Sequence, residues 1–287
     1  MSDQAALLEK PIIFIGPGRS GSTIISELIM VHEQLAWPSN YLEMYPNADW
    51  SNYLRPIFDN QFWRITAERG QINKTGFVNS LLPFPAEAYS LWERLSRSEI
   101  DFSRGFLLGE TATAGEKKNI RSVFARLVKA QGRQRLALKT TGPGRIGYLQ
   151  SIFPDAVFIN IIREQAATVR SFLNVPFWQD LGMHQLWWTG AYSQAEQHHY
   201  QTIRHHAELS TAFQLEKLLQ TTRQEAQQCS ANVTTIHYEE FVARPAEIVD
   251  QILNISGLPP SKWIERKLQT TPVHNRNNVR RRQYAHR

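Results

Sequence analysis

The residues Gly16-Pro-Gly-Arg19-Ser20-Gly21-Ser22-Thr23 connect a short apolar run, Ile12–Ile15, to a helical pattern. The chemistry that this turn can do is anion binding. Gly16 and Gly21 have the spacing of a Walker A loop, Gly, four residues, Gly, Lys, Ser/Thr, but Ser22 stands where the lysine belongs. Backbone N–H groups and a helix N-terminus still face an anion in such a turn, because they come from main-chain geometry and not from side-chain identity. Arg19 supplies the positive charge. The loop therefore reads as a phosphate cradle that does not work as an ATPase does, with Gly18, Arg19, Ser20, Gly21, Ser22 and Thr23 as its candidate binding residues.

Two further segments carry charge to the same place. Phe153-Pro-Asp-Ala-Val157 opens a strand through Ile162 that ends on Arg163, and Ser171 follows eight residues later on a helix. Leu136-Ala-Leu-Lys139-Thr-Thr141 ends a second strand on a lysine. Open parallel sheets bind ligands at the carboxyl ends of their strands, so Arg163, Ser171 and Lys139 are expected beside the cradle.

The elements that must position these groups are legible as alternating runs. Ile12–Ile15, Leu136–Leu138, Val157–Ile162 and Val233–Ile236 have strand character, and each adjoins a helical pattern. That alternation predicts a parallel sheet with helices on its faces. Ile24, Ile25, Leu28, Ile29 and Leu35 set the first helix, and Ile248, Ile252 and Ile255 a late one, opened by Pro245 and closed at Gly257. Residues 37–60 read as a long loop, and residues 184–228 as polar and helical, with two helices.

The first loop resembles the 5′-phosphosulfate loop of sulfotransferases, an apolar strand followed by Gly-x-x-(Arg/Lys)-Ser-Gly-(Ser/Thr)-Thr and an apolar helix. That family uses 3′-phosphoadenosine 5′-phosphosulfate (PAPS) as donor. Arg163 with Ser171 is similar to its 3′-phosphate motif, and Lys139-Thr140-Thr141 to its Lys-(Thr/Ser/Asp)-Pro segment, with the proline displaced to Pro143. His237-Tyr-Glu-Glu-Phe-Val-Ala-Arg-Pro245 with Gly257-Leu-Pro resembles the family's late strand, turn and helix, read here as architecture. The resemblance implies an α/β fold of the P-loop-like sulfotransferase type: a parallel β-sheet flanked by helices, with a helical acceptor-side insertion. It implies one domain over residues 1–287, with the phosphosulfate loop and first helix in 10–45 and the 3′-phosphate region in 136–175.

The implied activity is sulfuryl transfer from PAPS to a hydroxyl, or secondarily an amine, of a small-molecule or glycan acceptor. The cradle, Arg163 and Ser171 would bind PAPS, while Lys139 and Arg19 would stabilise charge on the leaving oxygen. Glu43, in the Trp37-Pro-Ser-Asn-Tyr-Leu-Glu43 segment, lies close to where several sulfotransferases place a catalytic glutamate after the first helix, with a spacing a few residues longer, and the resemblance implies it as the base. Its rivals as base are Glu110 and His32, the latter read as a packing or capping residue. The transferred group bears a single negative charge, so fixed cations and N–H donors suffice and no metal is expected. A P-loop nucleotide kinase or NTPase without its lysine, and a non-catalytic phosphate- or nucleic-acid-binding protein, stay open as alternatives.

Composition narrows these. The net charge of +6 is concentrated in residues 276–287, which hold five arginines and no acid; without them 27 basic residues face 26 acidic ones. A near-neutral body argues against nucleic acid, and the tail, with Arg280 and Arg281, is expected to close over an anionic nucleotide. His198-His199 and His205-His206 lie seven residues apart, ~10.5 Å along a helix and too far for one metal ion. Gly18-Arg-Ser20-Gly-Ser22 lacks the second glycine of a hydrolase elbow. Cys229 is alone, so no internal disulfide forms. The absence of a long apolar run and of a basic leader predicts a cytoplasmic protein without a membrane segment. Phe177, Trp178, Trp187 and Trp188 read either as core or as walls of an acceptor pocket. Acceptor identity and oligomeric state are not written in the sequence.

Overall fold

The computed structural model describes residues 7–59 and 83–277. In chain order these form β1 (Ile12–Ile15), α1 (Ser22–Met30), β2 (Leu35–Ala36), α2 (Asn40–Met44), a 3-10 segment (Asp49–Phe58), α3 (Tyr89–Leu95), α4 (Ala114–Ala130) and β3 (Arg135–Lys139). Then follow α5 (Ile146–Ile152), β4 (Val157–Ile162), α6 (Gln165–Phe172), α7 (Gln194–Ile203), α8 (Ala207–Gln228), β5 (Asn232–His237), α9 (Tyr238–Ala243), α10 (Pro245–Ser256) and α11 (Lys262–Thr270). The strands lie in the order β2-β3-β1-β4-β5, and every pairing is parallel.

β1 is a continuous apolar run, and β4 is one but for Asn160, because both faces of a parallel sheet are covered by helices. Successive residues of β1 enter opposite halves of the core. Ile13 and Ile15 pack with Leu136, Leu138 and Phe158 against α4 and α5, while Ile12 and Phe14 pack with Ala137, Ile159 and Ile161 against α1 and α10. Phe14 is fully buried, so Phe14→Ala would cost about 3–5 kcal/mol in lost burial and cavity.

The register brings the functional strand ends together. Phe14 is paired with both Lys139 and Ile159. Beyond Lys139 the amide of Thr140 donates to the Phe14 carbonyl at 2.9 Å and that of Gly142 to the Gly16 carbonyl at 3.1 Å, tying the turn after β3 to the loop after β1.

Two expectations change. Leu35 is not part of the first helix: α1 stops at Met30, and Leu35–Ala36 pairs with Arg135–Leu136 as an edge strand. A strand of two residues shows no alternation, and Leu35 matched a helical spacing by chance. The segment 37–60 is not a plain loop, since α2 and the 3-10 segment lie within it. Pro245 does occupy the first turn of α10, and Gly257 ends that helix in the left-handed region at φ 63°. The helices expected over 184–228 are α7 and α8. Among the described residues no helix is long and apolar enough to cross a membrane.

Candidate active site

The cradle is built by backbone conformation. Arg19 (φ 65°) and Gly21 (φ 86°) are both left-handed, which turns neighbouring N–H groups towards one side as in an anion-binding nest. Gly21 is the N-cap of α1, whose first amides have no intrahelical acceptor. A side chain at Gly21 would collide with the ring of Tyr238, and one at Gly16 with the carbonyl oxygen of Ile161. Both glycines are thus required by close packing and by φ. Gly18 lies against Phe172. Ser22 is buried, Thr23 half-buried, and Ser20 fully buried with its Oγ unpartnered. The Ser20 hydroxyl is thus left with a hydrogen bond to make inside the loop.

The second and third segments meet this loop directly. The Arg19 Nε donates to Ser171 Oγ at 3.0 Å, and Arg163 Nη1 donates to the Arg19 carbonyl at 3.1 Å. Arg163 also stacks over Tyr238, 4.9 Å from the ring centroid, and its Nε donates to Asn277 Oδ1 at 2.8 Å. Asn277 is held in turn, its Nδ2 donating to Glu239 Oε1 at 2.8 Å and its carbonyl accepting from Arg170 at 3.0 Å. Desolvation, then the charge of Arg276, pulls the Arg19 guanidinium below its ordinary value. Desolvation also lowers Arg163, partly countered by Tyr238 and Glu239 and reinforced by Arg19. Guanidinium groups brought this close to one another are favoured by an anion between them. The start of the basic tail, Arg276 and Asn277, reaches that site. Arg280 and Arg281 lie outside the described residues.

On the other side of the loop stand Lys139 and two carboxylates. Lys139 is buried; its Nζ donates to Thr23 Oγ1 at 3.1 Å and pairs with Glu87 Oε1 at 3.1 Å. Glu87 Oε2 accepts from the Thr141 amide at 3.0 Å and the Thr141 hydroxyl at 2.8 Å. Burial would raise the Glu87 carboxyl, but the charge of Lys139 and hydrogen bonds from Thr141 and Lys139 outweigh it and hold the group below the ordinary carboxylate value. Glu43 behaves in the opposite way. Burial, with a contribution from the charge of Glu87, pushes its carboxyl up despite hydrogen bonds from the Ser90 and Tyr89 amides. Its carbonyl accepts from the Ser90 hydroxyl, and its Oε2 is buried without a partner. A carboxylate that is desolvated and unpaired is the more basic of the two.

The rivals for the base sit elsewhere. Glu110 pairs with Arg97 at 2.5 Å, and the same guanidinium holds Glu116 at 3.0 Å in the capping box of α4. His32 is fully buried; its Nδ1 accepts from the Gln34 amide, so its Nε2 donates to the Pro259 carbonyl at 3.0 Å. It is the packing residue expected, but it lies beyond the end of α1 at Met30 and not within the helix. The histidines of α7 and of the turn after it are exposed. Of the four aromatics, Trp178 and Trp188 are core, with centroids 5.3 Å apart, whereas Phe177 is exposed and lies 5.4 Å from Trp187.

Residues 11–263 match the model of the Sulfotransferase family. The chain belongs to that family. Among solved structures it is similar to sulfotransferase STF9 from Mycobacterium avium, with 16% identity, TM-score 0.59, and 94% of this chain and 69% of that one covered. Sulfotransferase STF1 from Mycobacterium tuberculosis H37Rv gives 16% identity and a TM-score of 0.52 over 94% of this chain and 73% of that one. At this identity the likeness is one of fold. No curated protein matches the chain in sequence.

Sequence reasoning about the sulfotransferase missed Glu87. It stands in a stretch without a motif and reaches Lys139 only through tertiary packing. Tyr238 was visible in its segment but read as architecture alone, although it closes on both Gly21 and Arg163.

Proposed function

We propose that this sulfotransferase moves a sulfuryl group in line from PAPS to a hydroxyl of a small-molecule or glycan acceptor. The observation that carries the reading is the contact of Arg19 with Ser171 and of Arg163 with Arg19, which joins the two phosphate motifs into one anion site. Such a site suits a nucleotide with two separated anionic groups. The nest and the orphaned Ser20 Oγ would take the 5′-phosphosulfate, and Arg163 with Ser171 the 3′-phosphate. The donor supplies the sulfuryl group and leaves as 3′,5′-adenosine bisphosphate.

The remaining residues divide the work. Lys139 uses two of its three donors on Thr23 and Glu87, and the third is left for charge on the leaving oxygen. Arg19 holds Ser171 through Nε, leaving both terminal nitrogens for the phosphosulfate. Glu43 takes the proton of the attacking hydroxyl through its unpartnered Oε2.

Incubation with sulfate-labelled PAPS and a panel of alcohols, phenols, sugars and amines tests this. Label is expected in a hydroxyl acceptor, with equimolar adenosine bisphosphate released and no loss of rate in chelator. ATP–Mg²⁺ turnover without transfer from PAPS would favour the kinase or NTPase alternative.

A further inference from the structure

Glu87 is the charged group nearest the reacting end of the site that nothing in the sequence motifs assigns. Its two oxygens do different things. Oε1 pairs with Lys139 Nζ, while Oε2 takes both the amide and the hydroxyl of Thr141. Tyr89, two residues on, donates its phenol to the Thr141 carbonyl at 2.7 Å and accepts from the Thr141 amide at 3.1 Å. The segment 87–89 therefore grips the turn after β3 from one side. Gly142 bonded to Gly16 grips it from the other.

A lysine ammonium on a four-carbon stem is a mobile point charge, and catalysis needs it fixed where charge develops. Thr23 alone offers it one neutral acceptor. A carboxylate adds a charge-assisted partner that is itself anchored by two donors, so it cannot follow the lysine if the lysine moves. A negative charge beside an anion cradle carries a cost, since it opposes nucleotide binding. That cost is offset if the charge improves the step after binding.

We infer that Glu87 is a positioning residue for sulfuryl transfer, holding Lys139 Nζ against Thr23 at the mouth of the cradle. This rests on the reading of the site as a PAPS site. The inference separates Glu87 from Glu43: one carboxylate aims a cation, the other takes a proton.

The signature is a split between binding and turnover. Glu87→Gln keeps size and one acceptor but removes the charge. It should lower kcat at least ~10-fold while 3′,5′-adenosine bisphosphate binds as tightly as to wild type or a few-fold tighter. A part that only supports the fold would weaken both together. Glu87→Asp should recover part of the turnover. In a Lys139→Met background, Glu87→Gln should have no further effect on kcat, because the group it positions is gone.

The proposal is overturned by wild-type kcat in Glu87→Gln, by bisphosphate affinity falling in step with kcat, or by an equal loss in the Lys139→Met background. If Glu87→Gln does not fold, judged by circular dichroism, the Asp variant decides: kcat lowered while bisphosphate binding is kept supports the proposal, and wild-type kcat, or binding lost in step with kcat, overturns it. Failure of wild-type protein to bind bisphosphate at all overturns the PAPS reading, and this inference with it. Wild-type binding with unaffected variants overturns this inference alone.

Discussion

The two sides of the active site are built by different means. The phosphate side consists of segments each contiguous in sequence: a strand, a turn of fixed conformation, and cations at strand ends whose register the sheet sets. The side proposed for the acceptor consists of single residues: Glu87 and Tyr89, carried to Lys139 and Thr141, and Glu43 beside Ser90 and Tyr89, all from short helices and loops that have no pattern of their own. A nest depends on the backbone conformation of a few consecutive residues. A pair of carboxylates with opposite pKa shifts depends on what packs around each of them.

This difference predicts where the largest effect lies. Glu43→Gln removes the proposed base with little change of shape, so turnover should fall ~10²–10⁴-fold while bisphosphate binding is kept. The pH profile adds a second check. As the proposed base Glu43 would act as the carboxylate, and burial raises its pKa, so the acid limb of kcat should fall above the ordinary carboxylate range and vanish in the variant. Steady-state rates from pH 4 to 9 measure both. Near-normal turnover would move the base elsewhere, with Glu110→Gln as the next variant to assay.

A smaller effect tests whether a perturbed carboxylate by itself marks the acceptor side. Glu225 on α8 is buried and accepts from the Gly147 amide at 3.3 Å. Burial, against the amides of Gly147 and Ile146 and the charge of Arg145, pushes its pKa up to about 7. The unfolded chain loses that proton near pH 4.5, while the native protein retains it to about 7. Stability due to this group therefore falls as pH rises through that window and stays low above it. Glu225→Gln should abolish the slope and stabilise the protein at pH 8 by at most about 3 kcal/mol, with kcat unchanged. Urea denaturation at pH 5 and pH 8 reads this; a loss of kcat in the folded variant would extend the catalytic network to α8.

What could be read from sequence follows the same division. β1, β4, the cradle, Arg163 and Ser171 were legible because local pattern and strand-end chemistry fix them. Leu35 reads as helical because two residues of edge strand leave no period. Glu87 was invisible because its partner is 52 positions away and its own neighbours, Ala86 and Ala88, carry no chemical signal. Asn277 lay within the tail expected to approach the nucleotide, but its role as the partner of Arg163 depends on Glu239 and Arg170, which only the fold brings near.

The central claim is that Arg163, Ser171 and the cradle form one site that reads a 3′-phosphate. Calorimetric titration with 3′,5′-adenosine bisphosphate and with adenosine 5′-monophosphate, on wild type and Arg163→Ala, tests it most directly. Wild type should prefer the bisphosphate by ~10–100-fold, the value of a charge-assisted hydrogen bond, and Arg163→Ala should lose that preference while keeping its affinity for the monophosphate. Equal affinity of wild type for both nucleotides, or an equal loss for both on removing Arg163, would contradict the account.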